Sequence, residues 1–111
     1  MVPAEKDKIA IWVITPNGTK LAHMLSMNVS DVDIYVSQNI CETTACFKFR
    51  SLSGTLAKKF HQYTSHIFIM STGIVVRVIA PLIRHKTEDP AVVVVDDRGI
   101  HAISLLSGHL G

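Results

Sequence analysis

The sequence predicts a single α/β domain: an open, mostly parallel sheet flanked by helices and ending in a β-hairpin. Three observations lead there. The apolar runs at 8–14, 66–70 and 91–96 are short, rich in β-branched residues and nearly continuous, as in strands covered on both faces. Segments with helical spacing lie between them, and one parallel strand follows another only through such a crossover. At 111 residues, the chain suits one hydrophobic core and is short for two.

The run KIAIWVI (8–14) reads as the first strand and Thr15-Pro16-Asn17-Gly18 as a turn made of residues that impose or tolerate turn dihedrals. From Thr19, available as an N-cap, the spacing of Leu21, Ala22, Met24 and Leu25 predicts a short helix to about Met27. VDIYV (32–36) alternates and is a second short strand. For 40–50, where CFKF alternates with little context, loop and weak strand both stay open.

Ser51-Leu52-Ser53-Gly54 is a cap-rich start, and Leu56, Ala57, Phe60 and Tyr63 then recur at helical spacing. HIFIM (66–70) has the length of a buried strand. The next run, 74–80, is double-edged: its β-branched residues favour a strand, while Ser71-Thr72-Gly73 ahead of it resembles a helix cap. The need for a crossover selects a buried helix, ended or kinked near Pro81. AVVVVD (91–96) is again a strand, Asp96-Asp97-Arg98-Gly99 a turn, and IHAISLL (100–106) the hairpin partner.

Composition removes several functions. With 48% apolar and 18% charged residues the chain is not disordered, and some apolar surface is available to a partner. Eleven Lys and Arg against nine Asp and Glu, with Lys58-Lys59 the lone adjacent pair, give no stripe for tracking nucleic-acid phosphates. Cys41 and Cys46 have neither CxxC spacing nor the density of a disulfide scaffold, so a reduced, cytoplasmic setting is expected. IAIWVI is too brief for a membrane span or a signal sequence. His61 and His66 lack the HExxH spacing, and the histidines and cysteines form no zinc set, so no protein-bound metal is expected. Dinucleotide, P-loop and hydrolase-elbow motifs are also missing.

In an open α/β sheet, ligands gather beyond the carboxyl ends of the parallel strands, the edge that 15–18, 37–39 and 71–73 would share. Ser71, Thr72 and Gly73 there either cap a helix or offer N–H groups and hydroxyls to an anionic oxygen. Arg77, alone among apolar residues, pairs with a ligand carboxylate, or else snorkels to solvent or forms a structural salt bridge, for instance to Asp89 or Asp96. Asp96, ending the valine run, is the functional aspartate; Asp97 is assigned to the turn and Asp89 to the start of the strand. His109, flanked by small residues in Ser107-Gly108-His109, is a candidate base or ligand contact.

The stretch STGIVVRVIAPLIRHKTEDPAVVVVDDRGIHAISLLSGHLG, residues 71–111, closely resembles the cobalamin-biosynthesis protein G family, the cobalt-precorrin-5A hydrolases. KIAIWVITPNG is similar to that family's opening, whereas residues 28–65 match only in layout. The resemblance implies a hydrolase of the anaerobic route to cobalamin. Such an enzyme opens the δ-lactone of cobalt-precorrin-5A and releases acetaldehyde to give cobalt-precorrin-5B. It implies catalytic roles for Asp96 or His109, and substrate contacts from Ser71, Thr72, Gly73, Arg77, Lys86, Ser107 and Gly108. No cofactor is implied, cobalt arriving within the corrinoid substrate. The family pattern continues beyond LLSGHLG into a further helix and a separate domain, so residues 1–111 are expected to be the N-terminal domain of a longer enzyme, with the C-terminal domain as its partner. A non-catalytic corrinoid-binding or partner-docking module is the alternative. The oligomeric state is not legible.

Overall fold

The computed structural model describes residues 8–29, 31–40 and 46–107. Six strands form one sheet: β1 (Ile9–Val13), β2 (Val32–Ser37), β3 (Phe47–Phe49), β4 (Ser65–Ile69), β5 (Ala91–Val95) and β6 (Ala102–Ser107), in the order β3-β2-β1-β4-β5-β6. All neighbours are parallel except β5 and β6, the expected hairpin. Helices α1 (Pro16–Ser26), α2 (Leu52–Lys59) and α3 (Thr72–Ile79) supply crossovers, the last two each running on into a 3-10 turn. The open segment at 40–50 therefore contains a strand, β3, which pairs with Tyr35–Ser37 at the sheet edge.

The central strands are apolar along their whole length because both faces are covered. Ala10, Trp12, Phe68, Val92 and Val94 pack with Leu56 of α2 and with Val75 and Ile79 of α3. Ile11, Val13, Ile34, Val36 and Ile69 face the other way, toward Ala22 of α1. This period-two division is what the continuous runs encode. No described helix is long and apolar enough to cross a membrane.

The first helix departs from expectation. Thr15-Pro16-Asn17-Gly18 is a helix start, with Thr15 as N-cap: its Oγ1 accepts a hydrogen bond from Gly18 N at 3.0 Å, and Pro16 occupies the first turn. A proline there loses no helical bond and brings its φ already set. Thr19 is inside the helix, its hydroxyl donating to the Thr15 carbonyl at 3.1 Å. The expected helix after Ser51 is α-helical only to Lys59, and 74–80 is indeed helical, with Pro81 in the 3-10 turn that follows α3.

One polar side chain sits in the middle of the aromatic face. His66 is fully buried; its Nδ1 accepts from Trp12 Nε1–H at 2.9 Å and its Nε2–H donates to the Phe60 carbonyl at 2.8 Å. Those two bonds fix a neutral imidazole in one tautomer. Burial lowers its pKa from 6.5 to about 4, outweighing the bond to Phe60. Next to it, Tyr35 and Tyr63 share a 2.7 Å hydrogen bond and Tyr63 donates to Asp33 Oδ2 at 2.7 Å. Among the described residues, no buried side-chain polar atom lacks a partner.

Candidate functional site

The chain runs from β1 outward to β2 in one direction and from β4 outward to β5 in the other, so the topology switches between β1 and β4. Crossover helices leave that point on opposite faces, and the gap between their N-termini is where open α/β sheets hold ligands. A cleft of about 410 Å³ occupies it. Its apolar walls are Ile14, Ile69, Met70 and Ile74, and its polar groups come from Thr15, Ser71, Asp96 and Asp97.

The glycine that opens α1 makes this close arrangement possible. A Cβ on Gly18 would lie 2.9 Å from Val13 Cγ1, 3.1 Å from Thr15 Oγ1 and 3.2 Å from Ile69 Cγ2, so α1 could not seat against β1 and β4. We expect Gly18→Ala to cost about 1–3 kcal/mol, the usual range for overpacking, read from urea unfolding midpoints. An unchanged midpoint would show that the helix start gives way freely.

The two helix starts differ. Thr15 spends its hydroxyl on Gly18 N, whereas Ser71, the N-cap of α3, makes no side-chain capping bond. The first backbone bond of α3 is Val75 N to the Ser71 carbonyl at 3.3 Å. The N–H groups of Thr72, Gly73 and Ile74 therefore have no intrahelical acceptor. A Cβ on Gly73 would meet nothing within 4 Å, so the space beside this glycine is open.

Across the cleft, Asp96 rather than Asp97 accepts the turn's hydrogen bonds. Asp96 does the turn chemistry: its carboxylate accepts from Arg98 N, Ile100 N and His101 N at 3.0 Å each, and from His101 Nδ1 at 3.0 Å. These bonds, the one from Ile100 N foremost, hold its pKa down at about 2. Gly99 completes the turn at φ +74°, a conformation suited to glycine. Asp97, exposed, faces the cleft.

Asp89 is also more than a strand start. It is 4% exposed, and its carboxylate accepts from Arg84 N at 3.0 Å to each oxygen and from His61 Nε2 at 3.1 Å. Burial pulls its pKa up, but the Arg84 and His61 hydrogen bonds prevail and lower it. Arg77 pairs with neither Asp89 nor Asp96; it lies exposed on α3.

Thus Ser71, Thr72, Gly73 and Asp96 gather at one edge of the sheet. Lys86 and Ser107 line a different pocket at the opposite edge, together with Asp89. The separation follows from strand direction: β6 runs antiparallel to β5, and Ser107 pairs with Ala91, where β5 begins. Five strand residues, about 13–17 Å, divide the two places. Gly108 and His109 lie outside the described residues. Among the described residues, no group of three or more His, Cys, Asp or Glu side chains is placed to hold a metal ion.

Residues 54–111 match the family described as cobalamin synthesis G N-terminal. The chain belongs to that family. It is 41% identical, over its whole length, to the cobalt-precorrin-5A hydrolase of Salmonella typhimurium, and 36% identical to that of Priestia megaterium, with 96% of the chain covered. The likeness thus includes the middle of the chain, where the sequence signature is weak. The chain spans 31% and 30% of those relatives' lengths. A crystal structure of a cobalamin biosynthesis protein G homologue from Sulfolobus solfataricus superposes with a TM-score of 0.67 over 94% of this chain and 30% of that one, at 23% identity, which shows the shared fold.

Proposed function

We propose that this cobalamin synthesis G chain serves as the N-terminal domain of a cobalt-precorrin-5A hydrolase, opening the δ-lactone of its corrinoid substrate with release of acetaldehyde. The observation that carries this reading is the match of 100% and 96% of the chain to two proteins named for that activity. Cobalt belongs to the substrate.

Lactone opening adds water to a carbonyl, so the site must hold the water, receive its proton and donate to the oxyanion that develops. The switch-point cleft has groups for these tasks. Ser71 Oγ and the N–H groups of Thr72 and Gly73 are the donors. Asp97 holds the water, while Asp96, its oxygens already engaged, fixes the turn that presents Asp97. A carboxylate held at about 2 is a poor proton acceptor, which takes the base role away from Asp96 and leaves it, at this cleft, to Asp97; His109, the other candidate, lies outside the described residues. Arg77 and Lys86 are cations for carboxylate arms of the macrocycle. At about 410 Å³ the cleft is small beside whole-ligand pockets, which run to about 1,000 Å³, so it receives the lactone-bearing edge of a corrinoid.

The test is a chimera in which this chain replaces the matching N-terminal stretch of the Salmonella typhimurium hydrolase, assayed for acetaldehyde from cobalt-precorrin-5A. Turnover near the parent's supports the proposal. A folded chimera that binds the corrinoid without releasing acetaldehyde replaces it with a binding-module role.

A further inference from the structure

The pocket at the opposite edge of the sheet has the chemistry of a binding site, and the proposed lactone opening leaves its acceptor, Asp89, unused. It measures about 250 Å³, with apolar walls from Ile83, Pro90, Leu105 and Leu106. Three polar residues converge on it: Lys86, Asp89 and Ser107. They come from separate elements, the loop before β5 and the end of β6, and the hairpin brings them together.

Each polar group offers something different. Asp89 is a buried carboxylate whose position is fixed from behind by Arg84 N and His61. Those bonds keep it ionised, so it presents acceptors only. A carboxylate has about four acceptor positions, and the Arg84, His85 and His61 donors take about three of them. The residue also lines the pocket. Lys86 is exposed and forms no salt bridge among the described residues, so its ammonium offers donors only. Ser107, also exposed, can do either. Asp89 and Lys86 are not paired with each other, although both line the same space.

A simple anion would meet Lys86 but be repelled by Asp89, and a simple cation would meet the reverse. We infer that the pocket binds a hydroxy acid: a carboxylate placed on Lys86, a hydroxyl donating to Asp89, and an aliphatic body against Ile83, Pro90, Leu105 and Leu106. The volume, below the roughly 300 Å³ lower bound of whole-ligand pockets, suits one substituent arm and excludes a macrocycle. This recognition chemistry is independent of the lactone opening proposed at the other edge of the sheet.

The test uses ¹⁵N-labelled chain and three small probes: 5-hydroxyhexanoate, hexanoate, which lacks the hydroxyl, and 2-hexanol, which lacks the carboxylate. Saturable NMR shifts confined to 83–90 and 105–107 are expected with 5-hydroxyhexanoate. Binding should weaken about fivefold without the hydroxyl, which gives one charge-assisted hydrogen bond to Asp89, and about tenfold without the carboxylate, which gives one to Lys86 with ion pairing besides. Lys86→Met, an exposed change that leaves the Asp89 contacts in place, should erase the preference for the acids over the alcohol. Equal binding of all three probes, no binding, or shifts at 71–73 and 96–97 instead would overturn the inference. The chimera separates this outcome from the function: an active chimera beside a chain that binds no probe rejects the pocket alone, and probe binding to the chain beside an inactive chimera rejects the function alone.

Discussion

Between pH 6.5 and about 4, the domain should lose about 3 kcal/mol of folding stability through His66 alone. In the unfolded chain this imidazole titrates near 6.5; in the folded chain burial holds it to about 4, and protonation would also remove the lone pair that accepts from Trp12 Nε1–H. Within that window the unfolded state binds the extra proton and the folded state does not. Stability is therefore fully present above 6.5, falls as the pH drops, and levels off below about 4, where both states are protonated. The folded pKa values of Asp89 and Asp96 lie below 3.8, so their contributions disappear in a separate, more acid range. Urea unfolding at a series of pH values, followed by fluorescence of Trp12, the one tryptophan, measures the slope. His66→Phe should flatten it. That variant leaves Trp12 Nε1–H without its acceptor, so at pH 7 it should be less stable by about 1–3 kcal/mol and should approach the parent as the pH falls. An undiminished slope in His66→Phe would place the acid sensitivity elsewhere.

His66 also shows what a sequence conceals. In HIFIM it is one polar letter in an apolar run, and its partners, Trp12 and the Phe60 carbonyl, are supplied by β1 and the turn after α2. The runs that became β1, β4 and β5 were legible because burial on both faces leaves few positions for a polar residue. Thr15-Pro16-Asn17-Gly18 was legible as a stop but not as a start, because proline, asparagine and glycine serve turns and helix N-termini alike. What decides is the approach of Gly18 to Ile69, a contact between segments distant in sequence. Asp96 and Asp97 are adjacent, and only the geometry of the turn shows which one faces inward to its N–H groups. The splitting of the candidate residues between two edges was readable in principle: a hairpin partner ends where its neighbour began, so Ser107 must return to the edge from which β5 starts. Buried Asp89 gave no such signal, since Asp-Pro before a strand is ordinary turn chemistry.

Gly73→Leu in the chimera should reduce acetaldehyde formation about a hundredfold while leaving the fold intact. These outcomes have independent causes. A Cβ on Gly73 meets nothing within 4 Å and the residue is exposed, so a side chain there starts into open space. Glycine inside a helix costs roughly 0.5–1 kcal/mol relative to alanine, and replacing it here should hold or slightly raise stability. We place the reacting carbonyl in that same open space, beside the N–H groups of α3. A leucine side chain fills it and displaces the reacting group by more than 1 Å, a misplacement worth about a hundredfold in rate. Ser71→Ala removes one donor and leaves the space open; loss of a single oxyanion donor costs about 10²–10³ in kcat. Asp97→Asn, which keeps the shape and removes the charge, should lower kcat with little change in KM, because it holds water and not the corrinoid. If all three variants turn over like the parent chimera, the chemistry does not take place at the switch-point cleft. If Gly73→Leu alone is slow and mainly through KM, the start of α3 binds substrate but does not stabilise the oxyanion.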